Sequence, residues 1–306
     1  MRKATKGGRA TDGALALKLF DQLFPAPSWA SWRAWICAVF AQPMSTTEAE
    51  IFHRCTGRAS LPIVLCREVW NIIARRAGKS RVAAFLAAFF AGVKKWALAP
   101  GERPIVAVIT PSRRQAAVIL DYAEAFLQMI PGVSIVCRTQ DQIEVSTGVS
   151  IVVQSASYRT PRGFSVVVLI ADEIAYWRDD TGVSANPDRE IIRAIRPSLA
   201  SVSGSLLIAL SSPYASRGLL HETHEKYFGR DGSDVLVWQS DSRGMNPTLP
   251  QKLIDQAYEE DPASAAAEWG GQFRSDLESL FAREALDAVI VRGRFELPPV
   301  PGVAYV

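Results

Sequence analysis

The pattern of apolar positions along this chain changes character near residue 60. Over residues 11–60 they recur at helical spacing, with Leu15, Leu19 and Leu23 at i, i+4 and i+8, then Trp29, Trp32 and Trp35 at steps of three. From Pro62 onward, short β-rich runs alternate with long helical ones: strands are predicted at 68–74 and 104–110, helices at 80–98 and 112–130. Parallel strands need a crossover element between them, so this alternation predicts βαβ units and a mostly parallel sheet. Three short β segments, 134–137, 142–145 and 150–154, lie close enough to be hairpin-linked and locally antiparallel. Residues 165–171 (SVVVLIA) and 205–210 (SLLIAL) are nearly all apolar, as expected of central strands covered on both faces. A last strand is placed at 234–239. After Asn246 the pattern turns helical and acidic through Glu260 and Asp261, and Pro298, Pro299 and Pro301 read as a linker.

Composition narrows the class. With 48% hydrophobic and 21% charged residues the chain is no disordered polymer, and 306 residues supply one large domain or a core with a satellite. The formal charge of +3 comes from the first ten residues, where Arg2, Lys3, Lys6 and Arg9 meet no acid; without them 30 basic residues face 31 acidic ones. Any nucleic-acid contact must therefore come from a local patch. Cys37, Cys55, Cys66 and Cys137 match neither a zinc spacing nor a disulfide framework, which fits a reducing cytosol. The longest apolar run, residues 82–93, is well short of the ~20 residues that span a bilayer, and reads as a buried helix.

The strongest chemical signal is ARRAGKS at 74–80, between a predicted strand and a predicted helix. Gly78 lets the backbone approach a phosphate, Lys79 can reach the outer phosphates, and the Ser80 hydroxyl can ligate Mg²⁺. In the full GxxxxGK[ST] pattern the first glycine falls on Ile73, a departure. A second signal is VVVLIADE at 166–173: an apolar strand ending in Asp172, suited to hold Mg²⁺ through water, and Glu173, suited to polarise an attacking water. Ligands of open α/β sheets bind at strand C-terminal ends, so the two signals converge on one crevice. A third strand ends in Ser211 and Ser212, which read alone as an ordinary turn or as sensors of a terminal phosphate. His221, His224 and Glu225 lack the HExxH spacing and carry no metal prediction.

Together these residues resemble a known family. A phosphate loop with Arg75 inside it and no leading glycine, the Asp172-Glu173 strand end and the Ser211-Ser212-Pro213 strand end are followed by NPTL at 246–249, an acidic helix and EWGGQFRSD at 268–276. The combination resembles the ATPase half of large terminase subunits, the DNA-packaging motors of tailed phages and related viruses, over roughly residues 29–276. That family's loop commonly reads Ser or Ala, Arg, two residues, GK and Ser or Thr, which accounts for Ile73.

The resemblance implies a P-loop NTPase fold of the ASCE type, a central mostly parallel sheet flanked by helices with a small helical lid. It divides the chain into an N-terminal helical segment (1–60) packed on the core, an ATPase core (61–240), a lid (241–290) and a linker (291–306) toward a nuclease domain that the chain lacks, so no DNA cleavage is expected of it. ATP and Mg²⁺ are the implied cofactors. Arg75, Arg76, Ala77, Gly78, Lys79, Ser80 and Asp172 would bind nucleotide, with Ser80 and Asp172 on the metal. Glu173 would be the catalytic glutamate, with Arg75 as the loop arginine, and Ser211 and Ser212 the coupling motif. Arg162 in YRTPRGF, or its neighbour Arg159, would act in trans as an arginine finger. Trp29, Trp32 and Trp35 fit either the core or a wall beside the adenine. Implied partners are double-stranded DNA, a portal protein, a small terminase subunit and further copies in a pentameric ring, in the host cytoplasm and transiently at the procapsid, with no membrane. A helicase-like translocase and a nucleotide-binding assembly module with little turnover on its own are the alternative readings.

Overall fold

The structure, a computed structural model, describes residues 7–156, 165–177 and 187–274. Three helices come first: α1 (Gly7–Leu23), α2 (Ala30–Val39) and α3 (Thr46–Thr56). A capping box of Ser45 and Glu48 starts α3, satisfying orphan amides at both positions, and Gly57 at φ +65° ends it. The buried stripe of α1 differs from the predicted leucine row. Leu15 is 45% exposed, whereas Ala16, Leu19, Phe20 and the following Phe24 are buried. Aromatic packing sets this rotation: Phe20 stacks on Phe24 at 4.7 Å and meets Phe85 edge-on at 5.4 Å.

The core is one eight-stranded sheet, of order β3-β4-β5-β2-β6-β7-β1-β8. In chain order come β1 (Glu68–Ile73), α4 (Lys79–Gly92), β2 (Pro104–Thr110), α5 (Arg113–Gln128), β3 (Ile135–Arg138), β4 (Gln142–Val145), β5 (Ser150–Ser155) and β6 (Ser165–Asp172). Then follow α6 (Pro187–Ser201), β7 (Leu206–Ser211), α7 (Gly218–Tyr227), β8 (Val235–Ser240), α8 (Ser242–Met245), α9 (Gln251–Glu260) and α10 (Pro262–Glu268). In sheet order the six strands β5-β2-β6-β7-β1-β8 run parallel to one another, while β4 pairs antiparallel with β5 and β3 antiparallel with β4.

Every residue of β1 is buried, because both faces of the sheet are covered. Its side chains alternate: Val69 and Ile73 enter the layer formed by the N-terminal helices, α4 and α5, while Trp70 and Ile72 enter the layer beneath α6 and α7. Phe85 and Phe89 of α4 are fully buried in the first layer, and each such side chain stabilises by about 1.5–3 kcal/mol. Helix α4 stops at Gly92, short of the predicted 98. Beyond that end the Lys94 side chain donates to the distant Gly204 carbonyl (3.0 Å) and the Trp96 indole to the Phe90 carbonyl (3.0 Å). The pattern predicts no helix at α6 or α7. Ile191, Ile192, Ile195 and Leu199 nonetheless form a buried helical stripe in α6, despite Pro197 within it.

Candidate active site

The C-terminal ends of β1, β7 and β6 lie side by side, with Ile72 beside Ser211 and Leu210 beside Asp172. The chain leaves β1 through residues 74–78, and three consecutive carbonyls of this loop are held from outside it. Ser242 Oγ donates to the Arg75 carbonyl (2.7 Å), Asn246 Nδ2 to that of Arg76 (3.0 Å) and Trp32 Nε1 to that of Ala77 (2.6 Å). Because C=O and the next N–H of a trans peptide point in opposite directions, the amides of Arg76, Ala77 and Gly78 are turned to the other side. Among the described residues these amides, and those of Lys79, Ser80 and Arg81 that open α4, have no backbone partner. Six free donors at a helix N-terminus form an anion cradle.

Two residues of the loop adopt left-handed backbone. Gly78, at φ +91°, does so without strain, and a Cβ there would lie 2.9 Å from Trp29 Cζ3. Arg76, at φ +60°, does so as an L-residue. Trp32 and Trp35 are core, fully buried, with Trp35 Nε1 donating to Asn71 Oδ1 of β1 (2.6 Å). Half-buried Trp29 lies against Gly78, and the Arg81 guanidinium sits 5.2 Å from its ring centroid.

Lys79 is buried beneath the loop. Its Nζ donates to the carbonyls of Ile73 (2.9 Å) and Ala74 (3.1 Å) and to Ser212 Oγ (2.8 Å), and lies 3.4 Å from Glu173 Oε1. The other Glu173 oxygen accepts from the Ser212 N–H (2.9 Å) and lies 3.2 Å from Ser211 Oγ. Glu173 itself has left-handed backbone at φ 49°. Strain of this kind persists where surrounding bonds over-determine it, and here it aims the carboxylate across the end of β7. Asp172 is 1% exposed, and its Oδ1 has no hydrogen-bond partner. Burial and the neighbouring Glu173 push its carboxyl pKa up, against the pull of Lys79.

A cleft of about 720 Å³ runs over these groups, bounded by residues 75–81, by Gln115, Val118 and Tyr122 of α5, and by Glu173, Tyr176 and Ser212. Arg75 stands at its rim, ion-paired with Glu268 of α10 (3.0 Å), and its own N–H donates to the Glu268 carbonyl (2.7 Å). Ser80 lines the cleft from the first turn of α4. The structure thus brings Arg75, Arg76, Ala77, Gly78, Lys79, Ser80, Asp172, Glu173, Ser211 and Ser212 to one strand-end crevice. Arg159 and Arg162 lie outside the described residues, as does the chain beyond Arg274. His224 is used in packing: its Nε2 is 2.9 Å from Gln239 Oε1. Sequence reasoning missed Trp32, Ser242, Asn246 and Glu268 as partners of the loop, although Asn246 and Glu268 stand inside the noted NPTL and EWGGQFRSD segments.

No protein-family model matches the chain, and no curated protein matches it. Solved structures do. A mutant ATPase domain of the Thermus phage P74-26 large terminase, 17% identical, aligns over 78% of this chain and 98% of its own, with a TM-score of 0.52. The HK97 bacteriophage large terminase, 18% identical, aligns over 90% of this chain and 58% of its own, at 0.59. A large terminase from a thermophilic bacteriophage, in complex with ATP-gamma-S, is 10% identical and aligns over 76% of this chain and 53% of its own, at 0.51. The chain therefore spans little more than half of these two longer relatives. At such identities the likeness speaks to architecture: this chain has the P-loop fold of large terminase ATPase domains.

Proposed function

We propose that this chain is the ATPase motor of a large terminase, hydrolysing ATP to drive double-stranded viral DNA into a procapsid. The observation that carries the reading is the Lys79–Glu173–Ser212 constellation at adjacent strand ends, beneath a loop of free amides. A thermophilic phage terminase of the same fold holds ATP-gamma-S.

Each residue has a distinct part. The free amides of residues 76–81 and the Lys79 ammonium take the phosphates, which lures Lys79 from Glu173. Released from its ion pair, Glu173 is held by the Ser212 N–H and can accept a proton from the attacking water. The unpartnered, buried Asp172 Oδ1 is the kind of oxygen that a hard cation satisfies, and Ser80 opens α4 beside the phosphates, so these two residues fit Mg²⁺. Bound there, the ion would neutralise charge on the outer phosphates. Ser211 and Ser212 bridge Glu173 and Lys79 to the segment after β7, a route by which loss of the terminal phosphate reaches the rest of the domain.

Arg162, or Arg159, completes the neighbouring copy's site in a ring of five. The ring surrounds DNA, with the portal protein and the small terminase subunit as further partners. A ring lets a few basic side chains per copy act together on phosphates without reading sequence.

Glu173→Gln is the direct test. The variant should bind nucleotide as the wild type does while losing steady-state hydrolysis by about 10²-fold or more. Hydrolysis at the wild-type rate would refute Glu173 as the base. A rate per subunit that rises with protein concentration, and falls in Arg162→Ala or Arg159→Ala, is expected of a ring.

A further inference from the structure

Two of the three donors that hold the loop carbonyls come from one helical turn. Ser242 and Asn246 stand four residues apart, at the start and C-cap of α8, and reach the adjacent carbonyls of Arg75 and Arg76 at 2.7 and 3.0 Å. That turn is itself anchored. Asp241 Oδ1 accepts from the Gly244 N–H (2.6 Å), Ser31 Oγ donates to the Gly244 carbonyl (2.5 Å), and the Ser242 N–H donates to the Trp269 carbonyl (2.8 Å). Ser242 is fully buried. Thr248 fixes which way the Asn246 amide faces: its Oγ1 donates to Asn246 Oδ1 (2.7 Å), leaving Nδ2 for Arg76.

A phosphate loop with a leading glycine can take its bends through glycine freedom. Here Ile73 fills that place, and the left-handed turn falls on Arg76, where an L-residue is disfavoured. An outside donor on the Arg76 carbonyl opposes relaxation of that turn. If the Arg76–Ala77 peptide rotated, its carbonyl would face the cleft in place of the Ala77 N–H, setting a partial negative charge against the phosphates.

Resting on the nucleotide-site reading above, we infer that Asn246, seconded by Ser242, is a positioning residue for phosphate binding. It holds the Arg76–Ala77 peptide with its amide toward the ligand, the task that glycine conformation performs in other loops.

The test is a double-mutant cycle read by titration with a fluorescent ADP analogue, alongside thermal unfolding without ligand. Asn246→Ala should weaken binding about tenfold, equivalent to about 1.4 kcal/mol. Asn246→Asp, which keeps the size but offers an acceptor where a donor is needed, should weaken it at least as much. Glycine adopts positive φ at no steric cost, so in the Arg76→Gly background Asn246→Ala should cost less than threefold. Wild-type affinity in both Asn246 variants, or an equal loss in both backgrounds, overturns the inference. Failure of the wild-type chain itself to bind the analogue overturns the nucleotide-site reading, and the inference with it.

Discussion

Trp32→Phe isolates what the N-terminal helices do for the phosphate loop. The indole is fully buried, donates to the Ala77 carbonyl at 2.6 Å and meets Trp35 edge-on at 5.5 Å. Phenylalanine keeps an aromatic ring in the layer but removes the donor and part of the volume. Leaving a buried carbonyl unpaired costs about 1–3 kcal/mol, and the vacated volume adds a cavity cost of about 1–2 kcal/mol. Against a domain stability of about 5–15 kcal/mol this is large, and at about 2–4 °C per kcal/mol it lowers the unfolding midpoint by several degrees or more. Trp35→Phe is the matched control. It loses a bond of the same length to Asn71 Oδ1, in the same layer but on β1, while Asn71 keeps its own bond to the Ala209 carbonyl (2.8 Å). Both variants should therefore lose comparable stability in urea or thermal unfolding. Only Trp32→Phe should also weaken the fluorescent ADP analogue, by about threefold to tenfold, the equivalent of about 0.7–1.4 kcal/mol. Equal affinity losses in the two variants, or undiminished binding by Trp32→Phe, would refute the link between that indole and loop geometry.

Two other perturbations follow from the same geometry. Gly78→Ala places a Cβ 2.9 Å from Trp29 Cζ3 on backbone at φ +91°; the left-handed strain alone costs about 1–2 kcal/mol, so a lower unfolding midpoint and weaker nucleotide binding are expected, and an unchanged midpoint would argue against this loop conformation. Asp172 has its pKa raised in the folded chain, chiefly by burial, so its carboxyl is bound more tightly to a proton in the native than in the unfolded state. The nucleotide-free, metal-free chain should therefore lose stability as pH climbs above the ordinary carboxylate value of 3.8. Asp172→Asn should flatten that decline, leaving the variant more stable than wild type by about 1 kcal/mol or more at pH 8 in urea unfolding, while it abolishes hydrolysis. A wild-type stability that rises between pH 5 and pH 8 through this residue would contradict its burial as an unpaired carboxylate.

Much of the fold was readable because its signals are local. Alternating β-rich and helical runs predicted β1 and β2, near-continuous apolar runs predicted β6 and β7, and close spacing predicted the antiparallel β3-β4-β5 segment. The convergence of the candidate residues was readable to the same depth: Gly78, Lys79 and Ser80 are contiguous, and Asp172, Glu173, Ser211 and Ser212 close apolar strands whose ends the parallel sheet brings together. Other features failed for physical reasons. The leucine row of α1 showed only part of its buried face: Leu19 is buried but Leu15 is exposed, because Phe20 and Phe24 turn the helix by packing on Phe85. The stripe of α6 was hidden by its arginines and by Pro197.

By itself the sequence determined the type of most elements (α6 and α7 excepted), the three strand ends and the chemical groups at each, since these depend on side-chain period and on neighbours a few residues apart. Tertiary structure alone decided how those groups are poised. That Lys79 is held against Glu173, that Asp172 Oδ1 is buried without a partner, and that the loop's carbonyls face outward depends on residues far away in the chain. Trp32 lies 45 residues from Ala77, Ser242 167 from Arg75 and Asn246 170 from Arg76. Hydrogen bonds and burial are properties of distance and direction in space, and no periodicity or motif encodes them over such separations.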